Sequence, residues 1–243
     1  MIKTRAGDTG NTLFVYHRFI MTNVMHKLMT TLAAILIAAS AFAAPKNYDL
    51  KSPNGKLSVS VEAGEGISYT LTHDGDLLLD KTSISMATTS GELFGGIQPV
   101  RKVTRRSVSQ IIPTVLYKKA EVKDEFNEMT LKFKRFSLIF RAYDDGMAYR
   151  FVSHLKDAYQ IEQEFVNFNF AEDWNMWAGY VTHNTHSLEG QYFTSNEAQY
   201  TYSPLSQWNK DRIAILPLMV DGPDGKKIVI TEADNRDYPC FYL

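Results

Sequence analysis

From Leu57 onward, apolar side chains return at every second position. Leu57, Val59 and Val61 alternate with polar residues after a Pro53-Asn54-Gly55 turn. Ile67, Tyr69 and Leu71 keep the rhythm, His73-Asp74-Gly75-Asp76 reverses the chain, and Leu77 and Leu79 return from it. Successive side chains of a strand point to opposite faces, so this spacing predicts a hairpin with one buried face. Met129, Leu131 and Phe133 lead in the same way into Leu138, Phe140 and Ala142. Asp144-Asp145-Gly146 then turns the chain, and Tyr149 and Phe151 continue the alternation. Near the end, Ile213, Ile215 and Pro217 approach a Gly222-Pro223-Asp224-Gly225 turn, and Ile228 and Ile230 return from it.

No stretch after Ala44 sustains a 3.6-residue period over three turns. Antiparallel strands with frequent turn signals and no internal repeat predict an all-β domain with little helix: a large two-sheet antiparallel sandwich. No Gly/Ser/Pro-rich linker interrupts residues 44–243, which are read as one domain.

Residues 1–43 are read as an upstream extension and a signal peptide. His26-Lys27 is a short basic start, Leu28–Ala39 is apolar, and Ala41-Phe42-Ala43 carries the small-x-small pattern of a cleavage site. The apolar run is too short to span roughly 30 Å of hydrocarbon, so no membrane span is expected. Cleavage after Ala43 predicts an exported, periplasmic product of about 200 residues, with translation starting at Met25 or Met21. The single cysteine, Cys240, forbids an intramolecular disulfide and is too far from the cleavage site to carry a lipid.

Charge narrows the partners. Lys plus Arg number 26 and Asp plus Glu 27, a formal net charge of -1. The one basic cluster, Arg101-Lys102-Val103-Thr104-Arg105-Arg106, sits in a β-like stretch and reads as a solvated strand. Nucleic acid is therefore not an expected partner.

Candidate chemistry is sparse. His183 and His186 form an H-x-x-H without a third ligand at a partner spacing. There is no G-x-S-x-G elbow and no glycine-rich phosphate loop. Glycoside hydrolysis needs two carboxylates flanking a sugar. Glu162 and Glu164 share a face by spacing, and Glu172-Asp173 opens onto Trp174 and Trp177. Trp174, Trp177 and Trp208 are the candidate substrate-binding residues, since indole rings stack on sugar C–H faces as readily as they pack in a corner. Glu232 and Asp234 lie two apart directly after an apolar strand, a placement that suits a hard cation such as calcium. The last residues, Tyr238-Pro239-Cys240-Phe241-Tyr242-Leu243, leave two readings: a chain cut inside a folded context, or a terminal strand docked on the core.

Three stretches carry a family resemblance. Tyr202-Ser203-Pro204-Leu205-Ser206, the strand 213–220, the turn Gly222–Gly225 and Ile230-Thr231-Glu232-Ala233-Asp234 with Asp237-Tyr238-Pro239 resemble glycoside hydrolase family 97. Residues Arg141 to Arg150, around Asp144-Asp145-Gly146, resemble its central hairpin, and Ser52-Pro53-Asn54-Gly55 its opening strand. The likeness spans roughly residues 47–243. It implies a galactose-mutarotase-like β-super-sandwich, followed downstream by a (β/α)8 catalytic barrel, in an exo-acting, calcium-dependent α-glucosidase or α-galactosidase. It further implies that Glu232 is the acid the sandwich lends to a calcium site at the domain junction. The general acid and the base or nucleophile are then expected in the barrel, α-linked oligosaccharides are the expected substrates, and this chain alone is expected to be inactive. Asn235-Arg236 and Cys240 depart from the apolar residues and glycine the family pattern carries there. A sugar-binding or scaffold sandwich without catalysis is the competing reading.

Overall fold

The structure, a computed structural model, describes residues 45–182, 187–193, 195, 197–233 and 240–243. The proposed leader, the His183/His186 pair, Asp234 and Asp237-Tyr238-Pro239 lie outside the described residues.

The regular structure of the described chain is almost all strand. In order they are β1 (Lys46–Lys51), β2 (Leu57–Ala63), β3 (Ile67–His73), β4 (Asp76–Thr88), β5 (Leu93–Phe94), β6 (Lys102–Pro113) and β7 (Glu121–Lys132). There follow β8 (Phe136–Tyr143), β9 (Gly146–Ser153), β10 (Ile161–Asn167) and β11 (Asn175–Tyr180). A short helix, α1 (Leu188–Gln191), precedes β12 (Thr201–Pro204), β13 (Ala214–Asp221) and β14 (Lys227–Ile230). Among the described residues these strands form three antiparallel sheets. The first runs β1-β2-β3-β4-β10 with β5 on β4, the second β6-β7-β8-β9, and the third β12-β11-β13-β14.

The expected all-β sandwich is the pairing of the first two sheets. Val59, Val61, Ile67, Tyr69 and Leu71 of the first face Met129, Leu131, Leu138, Phe140 and Ala142 of the second in one buried cluster. Tyr69 meets Phe140 edge-on across the gap at 5.8 Å, and Phe94 stacks on Phe136 at 5.0 Å. Each Val, Leu, Ile, Met or Phe side chain buried this way contributes about 1.5–3 kcal/mol, and this burial holds together a fold that has no disulfide.

The turn chemistry read from sequence holds. Asp74 and Gly75 both have positive φ, 52° and 90°, the two-residue turn that matches the twist of a hairpin. The Asp144-Asp145 turn closes on the pair Tyr143–Gly146, and Asp144 Oδ1 accepts a 2.9 Å hydrogen bond from the Asn54 N–H. That bond ties the opening turn of the first sheet to the central hairpin of the second.

Two alternations differ from the sequence reading, each because of a register shift. On β4, Leu71 pairs with Leu79 but Thr72 with Leu77, so Leu78 is the extra residue. Leu78 and Leu79 are both buried, and Leu77 faces solvent. On β13, Trp177 pairs with Met219 but Gly179 with Ile215. The inward set is accordingly Ala214, Leu218 and Val220, with Ile215 half-buried and Pro217 exposed. A bulge of this kind leaves residues unopposed and reverses the facing of those beyond it.

The third sheet was not foreseen as a separate layer. It carries its own cluster of Met176, Ala178, Tyr180, Ala214, Leu218 and Val220. Phe170, Trp174 and Ile228 pack against both clusters and join it to the sandwich. Lys226, in the turn before β14, is ion-paired to Asp76 at the start of β4, which raises the ammonium's proton affinity. No helix among the described residues is long and apolar enough to cross a membrane.

Candidate functional site

Glu232 follows β14, whose Ile228 and Ile230 pack against the third sheet's cluster while Val229 faces out. The tight turn that launches this strand has Asp224 and Gly225 at positive φ, 53° and 76°. The Glu232 carboxylate is half-buried, and its Oε1 accepts a 2.9 Å hydrogen bond from the Phe241 N–H. Leu243, in that same closing segment, exchanges both backbone hydrogen bonds with Ala214 of β13, at 2.9 and 3.0 Å. Two pieces of backbone thus fix the acid: the end of β14 behind it and residues 240–243 beside it.

One carboxylate supplies at most two oxygens, whereas calcium takes six to eight. Among the described residues, no group of three or more His, Cys, Asp or Glu side chains is placed to hold a metal ion. Glu232 by itself therefore offers a hard cation no more than two of the oxygens it needs.

The three tryptophans separate. Trp174 is wedged between the two apolar clusters, and its carbonyl accepts from Leu205 N–H at 2.9 Å. Trp208 packs on Tyr180 at 5.4 Å, while the Tyr180 hydroxyl accepts from Asn209 N–H. Trp177 stands on the outward face of the third sheet, 37% exposed, against Tyr202 at 4.5 Å with the rings tilted by 35°. The Tyr202 hydroxyl donates to Asp221 Oδ2 at 2.8 Å, and Lys227 Nζ donates to Asp221 Oδ1 at 2.6 Å. Lys227, then Tyr202, holds the Asp221 carboxyl below its ordinary range. Tyr202, Asp221 and Lys227 come from three strands and have no spacing signature. Only the register, which opposes Tyr202 to Trp177, assembles them.

The other candidate carboxylates separate as well. Asp173 accepts from the backbone N–H and the hydroxyl of Ser206, both at 2.7 Å, and these bonds lower its proton affinity. It therefore serves the turn Leu205–Gln207. A register slip between Ile161 and Gln163 leaves Glu162 exposed and Glu164 half-buried, so the two do not act as a pair on one face. Of the basic cluster, Arg106 is ion-paired to Glu128. Arg101 lines an open cleft of about 290 Å³ with Glu92, Gln98, Pro99, Lys134 and Arg135. That cleft offers a single carboxylate, already paired to Arg135, which is one too few for acid/base hydrolysis of a glycoside.

Among the described residues the fold is an all-β sandwich with a third antiparallel sheet packed against it. The chain belongs to the glycosyl-hydrolase 97 family, matching its N-terminal domain over residues 50–243. It is 35% identical over 219 residues to the retaining alpha-galactosidase of Bacteroides thetaiotaomicron, covering 89% of this chain and 33% of that relative. A family 97 enzyme from a Pseudoalteromonas species, solved with acarbose, superposes with a TM-score of 0.65 at 18% identity over 81% of this chain and 30% of its own. A beta-arabinopyranosidase superposes at 0.66 and 17% identity, over 78% and 32% respectively. At that identity the two structures show the fold alone. The chain spans about a third of the length of these relatives.

Proposed function

We propose that this chain is the N-terminal module of an exo-acting α-glycoside hydrolase, an α-glucosidase or α-galactosidase. In this reading Glu232 is lent to a calcium site shared with a (β/α)8 domain, and the sandwich walls one side of the active site. The observation that carries it is the family membership combined with the placement of Glu232 just past the last strand, clamped by the Phe241 N–H. Bound there, calcium would supply positive charge for a substrate oxygen; Glu232 contributes an oriented carboxylate to it. The general acid and the base or nucleophile belong to the barrel, where two carboxyl groups about 5–10 Å apart flank the scissile bond. Residues 1–43 direct export to the periplasm, with cleavage after Ala43.

The test is calcium calorimetry on the 243-residue chain and its Glu232→Gln variant, beside assays on nitrophenyl α-glucoside and α-galactoside. Millimolar or weaker calcium binding, lost in the variant, and no turnover are expected. Micromolar calcium affinity, or hydrolysis above background, would overturn the shared-site reading.

A further inference from the structure

The outward face of the third sheet carries an arrangement that the junction carboxylate does not use. Tyr202 on β12, Trp177 on β11, Met219 on β13 and Val229 on β14 are directly opposed, strand to strand, in one row across the sheet. All are at least partly exposed, Tyr202 at 48% and Val229 at 54%.

Tyr202 is held at both ends. Its backbone lies on β12, the edge strand, yet its hydroxyl bonds Asp221 on β13, and β11 runs between them. Strands two apart are separated by about 10 Å, so the phenol must lean across β11 to make that bond. One face of its ring therefore lies against Trp177 and the other is presented to solvent. A ring fixed this way loses little conformational freedom on binding. At its rim, the Asp221 carboxylate and the Lys227 ammonium offer an acceptor and a donor of cancelling charge.

We propose that this face is a stacking platform for a neutral pyranose oligosaccharide. The C–H face of one sugar ring lies on Tyr202 and Trp177, the chain continues over Met219 and Val229, and Asp221 and Lys227 take sugar hydroxyls. An amphipathic ring with polar substituents around its edge fits an apolar strip with a charge-balanced rim. A lipid or nucleic acid would call for an apolar or a basic surface instead. The platform requires neither calcium nor Glu232.

The experiment is calorimetric titration of the 243-residue chain with maltoheptaose and with stachyose, in calcium and again in EDTA. Binding of at least one probe, equal in both buffers and unchanged by Glu232→Gln, is expected. Trp177→Ala should weaken it by roughly tenfold or more, and Tyr202→Phe, which keeps the ring but frees its hydroxyl end, by about threefold. Phe165→Ala, an exposed ring on the first sheet, serves as the control and should bind as the parent does. Cooperative melting is confirmed for every variant, and Tyr202→Phe keeps the test open should Trp177→Ala fail to fold. No binding of either probe at about 10 mM, unchanged affinity in Tyr202→Phe, or a dimer in solution that buries Trp177 would each overturn the platform. Those results leave the calcium titration of Glu232 unaffected, so the two readings fail separately.

Discussion

Arg106 and Glu128 stand directly opposite one another on β6 and β7 and form a two-pronged ion pair, Nε to Oε1 at 2.6 Å and Nη2 to Oε2 at 2.8 Å. Arg141, opposite Glu128 on β8, donates to Oε2 at 2.8 Å and lies 4.3 Å over the Phe126 ring. The carboxylate is buried between two strands' arginines, and the Arg106 hydrogen bonds, aided by Arg141, hold its proton affinity below the ordinary value against the opposing effect of burial. A folded-state pKa below the unfolded value gives stability that is present above about pH 4.3 and fades as pH falls toward the folded pKa. Glu128→Gln should therefore cost about 1.5–3 kcal/mol at neutral pH. The gap between parent and variant should close on acidification from pH 5 to 3. Urea melts across that range decide it; a gap that does not change with pH would mean that packing, not charge, is what the glutamate provides.

Gly95 has φ of +93°, and a Cβ placed on it would lie 2.6 Å from the Ile84 carbonyl oxygen. Gly55 has a similar φ of +76° but nothing within 4 Å of such a Cβ. The comparison isolates close approach from backbone strain. Gly55→Ala should cost about 1–2 kcal/mol, the strain of the left-handed conformation alone. Gly95→Ala should cost at least about 1 kcal/mol more, because β4 backbone has to move. Equal midpoint shifts in urea, at unchanged slope, would remove the close-approach argument.

The hairpins were legible because period-two alternation and the Asp-Gly turn are local signals, set by side-chain facing and by φ. Leu78 and Ala214 were not, because a bulge is decided by how two distant strands align and leaves no mark on the strand that carries it. The same limit governs the sites. The place of Glu232 after an apolar strand is a local signal, but the Phe241 N–H that orients its carboxylate comes from a segment that folds back. Trp174, Trp177 and Trp208 look alike in sequence; the third sheet packs two, half-buried, against its cluster and leaves Trp177 outward. Glu128 drew no notice at all, since its partners are 22 and 13 residues away on other strands.

The β6–β7 ribbon runs past the rest of its sheet. Lys102 to Pro113 pair with Glu121 to Lys132, but β8 covers only Asn127 to Lys132, so among the described residues the far half of the ribbon has two strands and no third. At its tip Val115 and Leu116 are 94% and 97% exposed, and Ile111, Ile112 and Tyr117 beside them face solvent as well. Side chains that bury nothing contribute nothing to the core, so the double substitution Val115→Ser and Leu116→Ser should shift stability by no more than about 0.5 kcal/mol. The same change removes a contiguous apolar surface of the sort that drives association. Sedimentation over a concentration series should accordingly show less self-association in the variant, at an unaltered melting temperature. A large loss of stability would mean that the tip folds back onto the sandwich and that its exposure is not a property of the folded chain.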